Sequence, residues 1–169
     1  MALKVWQYTI PSAKGEGWAY VMIREDGFFA TVSDYGNYAY IWSSTGTKDV
    51  REFFLAMRRD WDYFAKKLKP ELRTNTEQSF TALREWLTEN LSPTDLEAAL
   101  MLVEEHESDD WDGLMRDDEF REFCEEPWEH SVKELCPDVV AYATKIMPKL
   151  AALIEAELAQ EAQASNPQG

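Results

Sequence analysis

Between residues 104 and 130 the chain reads EEHESDDWDGLMRDDEFREFCEEPWEH, with thirteen Asp and Glu against two Arg. Carboxylates at this density can hold cations, imitate a polyanion toward a basic partner, or simply solvate a surface. Calcium is the most sharply testable of these. Its helix-flanked loop wants acidic oxygens at positions 1, 3 and 5, Gly at 6, an apolar residue at 8 and Glu at 12. With Gly113 at position 6, Asp110 and Asp112 fall at 3 and 5, Met115 at 8 and Glu119 at 12. Position 1 is Ser108, and no second loop of the kind follows. The stretch is thus a degenerate calcium loop at 108–119, an alternative rather than the leading reading. Cys124, His130 and Cys136, with His106 as a fourth group, lack the closely spaced pair that grips zinc as a local chelate. No cofactor is expected.

Polyanion imitation suits the stretch better. Proteins that hold nucleic acid do so largely with Lys and Arg aimed at phosphates, and helix faces dense in carboxylates can offer the same groove a similar charge. The partner-binding candidates are Glu104, Glu105, Asp109, Asp110, Asp112, Asp117, Asp118, Glu122, Glu125 and Glu126, with Trp111 and Trp128 as apolar anchors. Like charges crowded this closely repel one another, which destabilises the chain that carries them.

Other chemistry finds less support. The chain has only two His, and neither stands in a recognisable context with Ser or Cys. Nothing singles out one carboxylate pair for acid–base work, and GEG at 15–17 reads as turn residues rather than a phosphate loop. A non-enzymatic protein is therefore expected. The second alternative is a small-ligand site on an aromatic strand, where Tyr38, Tyr40 and Trp42 share one face, with Arg24, Arg58 or Arg59 near an anion.

Composition bounds the setting. The chain has 169 residues and a net charge of −15, 45 % of its residues are hydrophobic, and it contains seven Trp, enough to build a core. Residues 1–73 net +2 and residues 74–169 net −17. Such asymmetry repels nucleic acid and anionic membranes and attracts basic proteins. Two Cys, no charged-then-apolar leader and no long apolar run point to a cytoplasmic protein with reduced thiols.

The elements that must position these groups change character along the chain. KVWQYTI, GWAYVMIR, GFFATV and YAYIWS are rich in Val, Ile, Thr and aromatics, and short turn-forming segments separate them, which predicts an antiparallel meander over about 3–44. Val50, Phe54, Met57, Trp61, Phe64 and Leu68 step by 4 and 3, predicting one amphipathic helix capped by Asp49 and Glu52 and ended by Pro70. Further helices are predicted over 76–90, from SPTD at 92–95, through DDEFREFCEE, and from Pro137 onward with a kink at Pro148. The expected architecture is α+β: a small N-terminal antiparallel sheet followed by about five packed helices. It forms a single domain over 1–163, with helices over about 48–163 and a frayed tail at 164–169.

YTIPSAKGEGWAYVMI and GFFATVSDYGNYAYIWSSTGTKDVREFFL resemble an uncharacterised group of small proteins encoded by tailed bacteriophages and prophages, most clearly over residues 6–57. The resemblance implies a phage accessory protein acting in the bacterial cytoplasm, and it carries no residue role. Joined to the acidic stretch, it gives an expectation: an inhibitor of host machinery, of the anti-CRISPR or other anti-defence type. It would bind a host protein with a basic surface, and neither nucleic acid nor membrane directly.

Overall fold

The computed structural model describes residues 2–106 and 111–165. In chain order the strands and helices are β1 (Val5–Ile10), β2 (Ala19–Arg24), β3 (Phe28–Ser33), β4 (Gly36–Ile41), α1 (Val50–Met57), α2 (Trp61–Leu68), β5 (Leu72–Thr74), α3 (Thr76–Asn90), α4 (Pro93–His106), α5 (Trp111–Arg116), β6 (Lys133–Leu135), α6 (Pro137–Ala141) and α7 (Met147–Ser165). The fold is α+β, with the N-terminal sheet preceding the helices. The chain forms two compact units, one from residues 1–71 with 135–169, the other from residues 72–134.

In the first unit, β1 to β4 form the expected meander in the order β1-β2-β3-β4, antiparallel throughout. Residues alternate between faces, so Trp6, Ile10, Val21, Ile23 and Phe29 enter the core while their neighbours face out. At the β2–β3 turn Gly27 has φ +87°, and an added Cβ would lie 2.0 Å from the Trp42 carbonyl oxygen. The Trp42 N–H donates back to the Gly27 carbonyl at 3.0 Å, so this glycine closes the turn onto the end of β4.

The aromatic face of β4 points inward. Trp42 is 4 % exposed and stacks on Phe64 at 5.5 Å, while Tyr38 meets Tyr142 at 5.4 Å. Helical side chains fill the space in front of Trp42 and Tyr38, so these two rings of the small-ligand alternative serve the core, while Tyr40 is half-buried. Arg24 pairs with Asp26 through two bonds of 2.8 and 2.7 Å, and Arg58 pairs with Glu155 at 2.6 Å.

The predicted helix from Val50 to Leu68 is broken into α1 and α2. Residues 59 and 60 donate to carbonyls three back, and Asp60 leaves the helical region with φ −119° and ψ 52°. Asp is poor inside a helix and good at its start, and here it outweighs an unbroken apolar stripe. At the start of α1, Asp49 caps as expected, but its carboxylate accepts from the backbone and guanidinium of Arg51, with no exchange with Glu52.

Arg51 is 1 % exposed, the largest fully buried side chain among the described residues. Asp49 and Glu161 each bind it at two or more points, and Glu157 lies at 3.3 Å. Its guanidinium sits 4.8 Å from the Trp6 ring centre, and the Tyr8 hydroxyl donates to Glu157 at 2.6 Å. The cluster joins β1, the start of α1 and two successive turns of α7. Between α6 and α7, residues Tyr142–Ile146 form a π-helical turn. Pro148 has no N–H for the carbonyl of residue 144, and the wider turn just before it accommodates that loss.

Candidate functional site

The second unit carries nearly all the net charge. Residues 72–134 hold nineteen Asp and Glu against five Lys and Arg, a net of −14 out of −15. Its core is formed by Phe80, Leu83 and Leu87 of α3, Ala99 and Val103 of α4, Leu114 of α5 and Phe120. Asn75 caps α3 by accepting from the Gln78 N–H at 3.0 Å, and Ser92 with Asp95 caps α4, as the SPTD signal predicts. β5 and β6 pair as a short ribbon, fixed by Arg73 to Glu134 at 2.8 Å and Asn75 to Glu134 at 2.7 Å. Those two contacts hold the Glu134 carboxyl below the usual carboxylate range.

The candidate carboxylates separate into distinct groups. Asp109 and Asp110, with Ser108 of the calcium alternative, lie outside the described residues. Glu104 and Glu105 are exposed on the last turn of α4. They stand at the negative end of the helix dipole, a placement that costs stability. Asp112 is exposed on α5, and the Asp118 side chain is 98 % exposed, 3.7 Å from Arg121.

Asp117 turns inward instead. It accepts from the N–H groups of Phe120 and Glu119 at 3.0 and 2.9 Å and meets His106 Nε2 at 3.1 Å. The Phe120 N–H and then His106 hold its carboxyl below the usual range. Asp117 therefore caps a local turn and leaves the partner-facing set.

Trp111 is likewise an internal group. It is 5 % exposed, packs edge-on against Phe80 at 5.2 Å and donates its indole N–H to Ser131 at 3.1 Å. Trp128 lies on the surface and is 48 % exposed.

The predicted helix through DDEFREFCEE is a single 3-10 turn at Phe120–Glu122. A helix there would stack Asp118 on Glu122 and Glu122 on Glu126, like charges four residues apart. The irregular path places Glu122, Glu125 and Glu126 beside Glu129 of a second 3-10 turn, Pro127–His130. Together with Trp86, Phe123, Cys124 and His130 they line an open groove of about 410 Å³. Trp86 and His130 rings lie 5.0 Å apart along one wall. Burial pushes the Cys124 thiol up, which keeps it protonated and quiet.

Trp86 and Glu129 do not stand out as candidates in the sequence, and His130 stands out there only as a group for zinc. Trp86 lies three residues after Leu83, at the edge of the α3 stripe, and that position was the available signal. Among the described residues, no Lys or Arg pairs with Glu104, Glu105, Glu122, Glu125, Glu126 or Glu129.

The calcium alternative fails on backbone geometry. Loop positions 4–9 would be residues 111–116, which form α5, whereas a calcium loop needs an irregular chain turning at its central Gly. Among the described residues, no three His, Cys, Asp or Glu side chains converge as a metal would require. None of their helices is long and apolar enough to cross a membrane.

No curated protein and no solved structure matches the chain. A family model described as a phage family matches residues 1–156, nearly the whole length. The chain belongs to that phage family.

Proposed function

We propose that the protein is a phage-encoded, non-enzymatic interaction protein that occupies a basic, normally nucleic-acid-binding surface of a host protein. The carrying observation is the concentration of charge. One unit of 63 residues nets −14, and its exposed Glu104, Glu105, Glu122, Glu125, Glu126 and Glu129 have no basic partner of their own among the described residues. Carboxylates left unpaired at this density repel one another, and a partner bearing Lys and Arg relieves that repulsion on binding. The groove between Trp86 and the four glutamates adds a concave feature to this charged surface. Trp128 supplies exposed aromatic area of the kind that dominates interface energetics. Targets of this chemistry include CRISPR complexes and restriction enzymes, so the function is of the anti-CRISPR or wider anti-defence type.

The test is capture from host lysate with tagged wild-type protein and a variant carrying Glu122→Lys, Glu125→Lys, Glu126→Lys and Glu129→Lys. The expected result is a basic protein held by the wild type, released by rising salt and by duplex DNA, and absent from the variant. Equal capture by a folded variant would refute the reading.

A further inference from the structure

The first unit has a surface of the opposite kind, and its charge is close to neutral. Outside residues 72–134 the chain nets only −1. β4 is an edge strand of the sheet, and GNYAYI contains no charge and no proline. Its register with β3 runs unbroken from Phe28 opposite Ile41 to Ser33 opposite Gly36, so no bulge turns the edge away. Natural proteins blunt such edges with Lys, Pro, bulges or a covering element. Among the described residues β4 shows none of the first three.

The hydrogen-bond pattern fixes which backbone groups are open. The Trp42 N–H bonds to Gly27, so residues 36, 38, 40 and 42 direct their N–H and C=O groups at β3. Asn37, Ala39 and Ile41 therefore direct theirs at the free edge, and all three residues are exposed. At this edge lie an apolar side chain, two tyrosine rings and one cation. Ile41 is 49 % exposed, and Lys67 of α2 lies 5.8 Å from the Tyr40 ring and 5.5 Å from that of Tyr63, which is itself exposed.

The other edge strand, β1, is bordered differently. Lys4 and Tyr8 bond Glu161 and Glu157, so its rim is a charged cluster that would meet like charges in a twofold pair.

We infer that β4 pairs antiparallel with β4 of a second copy, joining the two sheets into one of eight strands. A twofold axis at Ala39 sets Ala39 against Ala39 and Asn37 against Ile41 of the partner copy. This matches open donors to open acceptors on both sides, and β4 itself places no charge at the seam. One strand pair and its flanking tyrosines cover on the order of 500 Å² per copy, below the ~800 Å² of a standard interface. The dimer is accordingly weak and concentration-dependent.

The test is sedimentation velocity of the full chain from micromolar to submillimolar concentration, alongside Ala39→Pro. Proline at 39 removes a donor aimed outward and none of those bonded to β3. The expected result is a dimer that grows with concentration and is lost in Ala39→Pro, with circular dichroism unchanged. A monomer at every concentration overturns the inference, as does a dimer that survives in the folded variant. Amide exchange on the wild type decides the matter should the variant fail to fold. The amides of Asn37, Ala39 and Ile41 should be protected at high concentration and lose protection on dilution. Fast exchange at all concentrations contradicts the pairing.

Discussion

Replacing Arg51 with Met keeps most of the side-chain volume over Trp6 and removes the buried cation at a junction of three carboxylates, leaving exposed Lys4 at 4.0 Å from Glu161. Removing one partner of a fully buried ion pair costs roughly 3–5 kcal/mol. Here Arg51 is buried, but the side chains of Asp49, Glu157 and Glu161 are 27 %, 37 % and 47 % exposed, so water and salt take over part of the loss. The expected cost at pH 7 is about 2–3 kcal/mol, including ~0.5–1 kcal/mol for the lost cation–π contact.

The pH dependence gives this prediction its sign. Hydrogen bonding to Arg51 lowers the carboxyls of Asp49 and Glu161 below their ordinary values of 3.8 and 4.5. A carboxylate depressed in the folded state contributes stability above its unfolded value and loses it as pH falls through the folded one. In Arg51→Met the same carboxylates repel one another, and protonation relieves them. The deficit of the variant should therefore be largest near pH 7 and narrow below about pH 4. Urea unfolding followed by near-ultraviolet circular dichroism at pH 7 and pH 3.5 measures both values. A cost under about 1 kcal/mol at pH 7, or an equal cost at both pH values, would refute the assignment of Arg51 as the electrostatic centre of the first unit.

Three further substitutions probe the two units separately. Gly27→Ala forces a Cβ into the Trp42 carbonyl at 2.0 Å in a left-handed conformation and should destabilise by more than about 2 kcal/mol, visible as a lowered thermal midpoint. Trp111→Ala should cost about 3–5 kcal/mol by emptying the core beside Phe80, whereas Trp128→Ala should stay within about 0.5 kcal/mol in denaturant while weakening partner capture.

The sheet was legible because its signals are local. Period-two alternation, with turn-forming segments at 11–17, EDG at 25–27 and SDYGN at 33–37, places four strands and three turns within a few residues of where they stand. The caps at Asp49 and Ser92 were equally local. Where two tendencies compete, the apolar pattern misled. The stripe from Val50 to Leu68 runs straight through Asp60, and the backbone follows the aspartate. Through 117–126 the apolar Phe120, Phe123 and Cys124 suggest a helix, but carboxylates four residues apart oppose it.

The site was only partly legible for a different reason. Charge density reads directly from composition, so Glu122, Glu125 and Glu126, which line the groove, stand out as acidic candidates in the sequence. Which charges face inward depends on partners distant in the sequence. Asp117 meets His106 eleven residues away, and Trp111 meets Phe80 thirty-one residues away. Trp86 joins the groove only because α3 lies beside the turn carrying His130.

The most direct test of the acidic unit as a docking surface is the salt dependence of its affinity for the captured host protein, measured by fluorescence anisotropy for wild type and the four-lysine variant. The logarithm of the wild-type association constant should fall steeply and linearly with the logarithm of salt concentration, and duplex DNA should compete. The variant should bind too weakly to define a slope. A shallow slope shared by both proteins would contradict a role for these carboxylates in recognition.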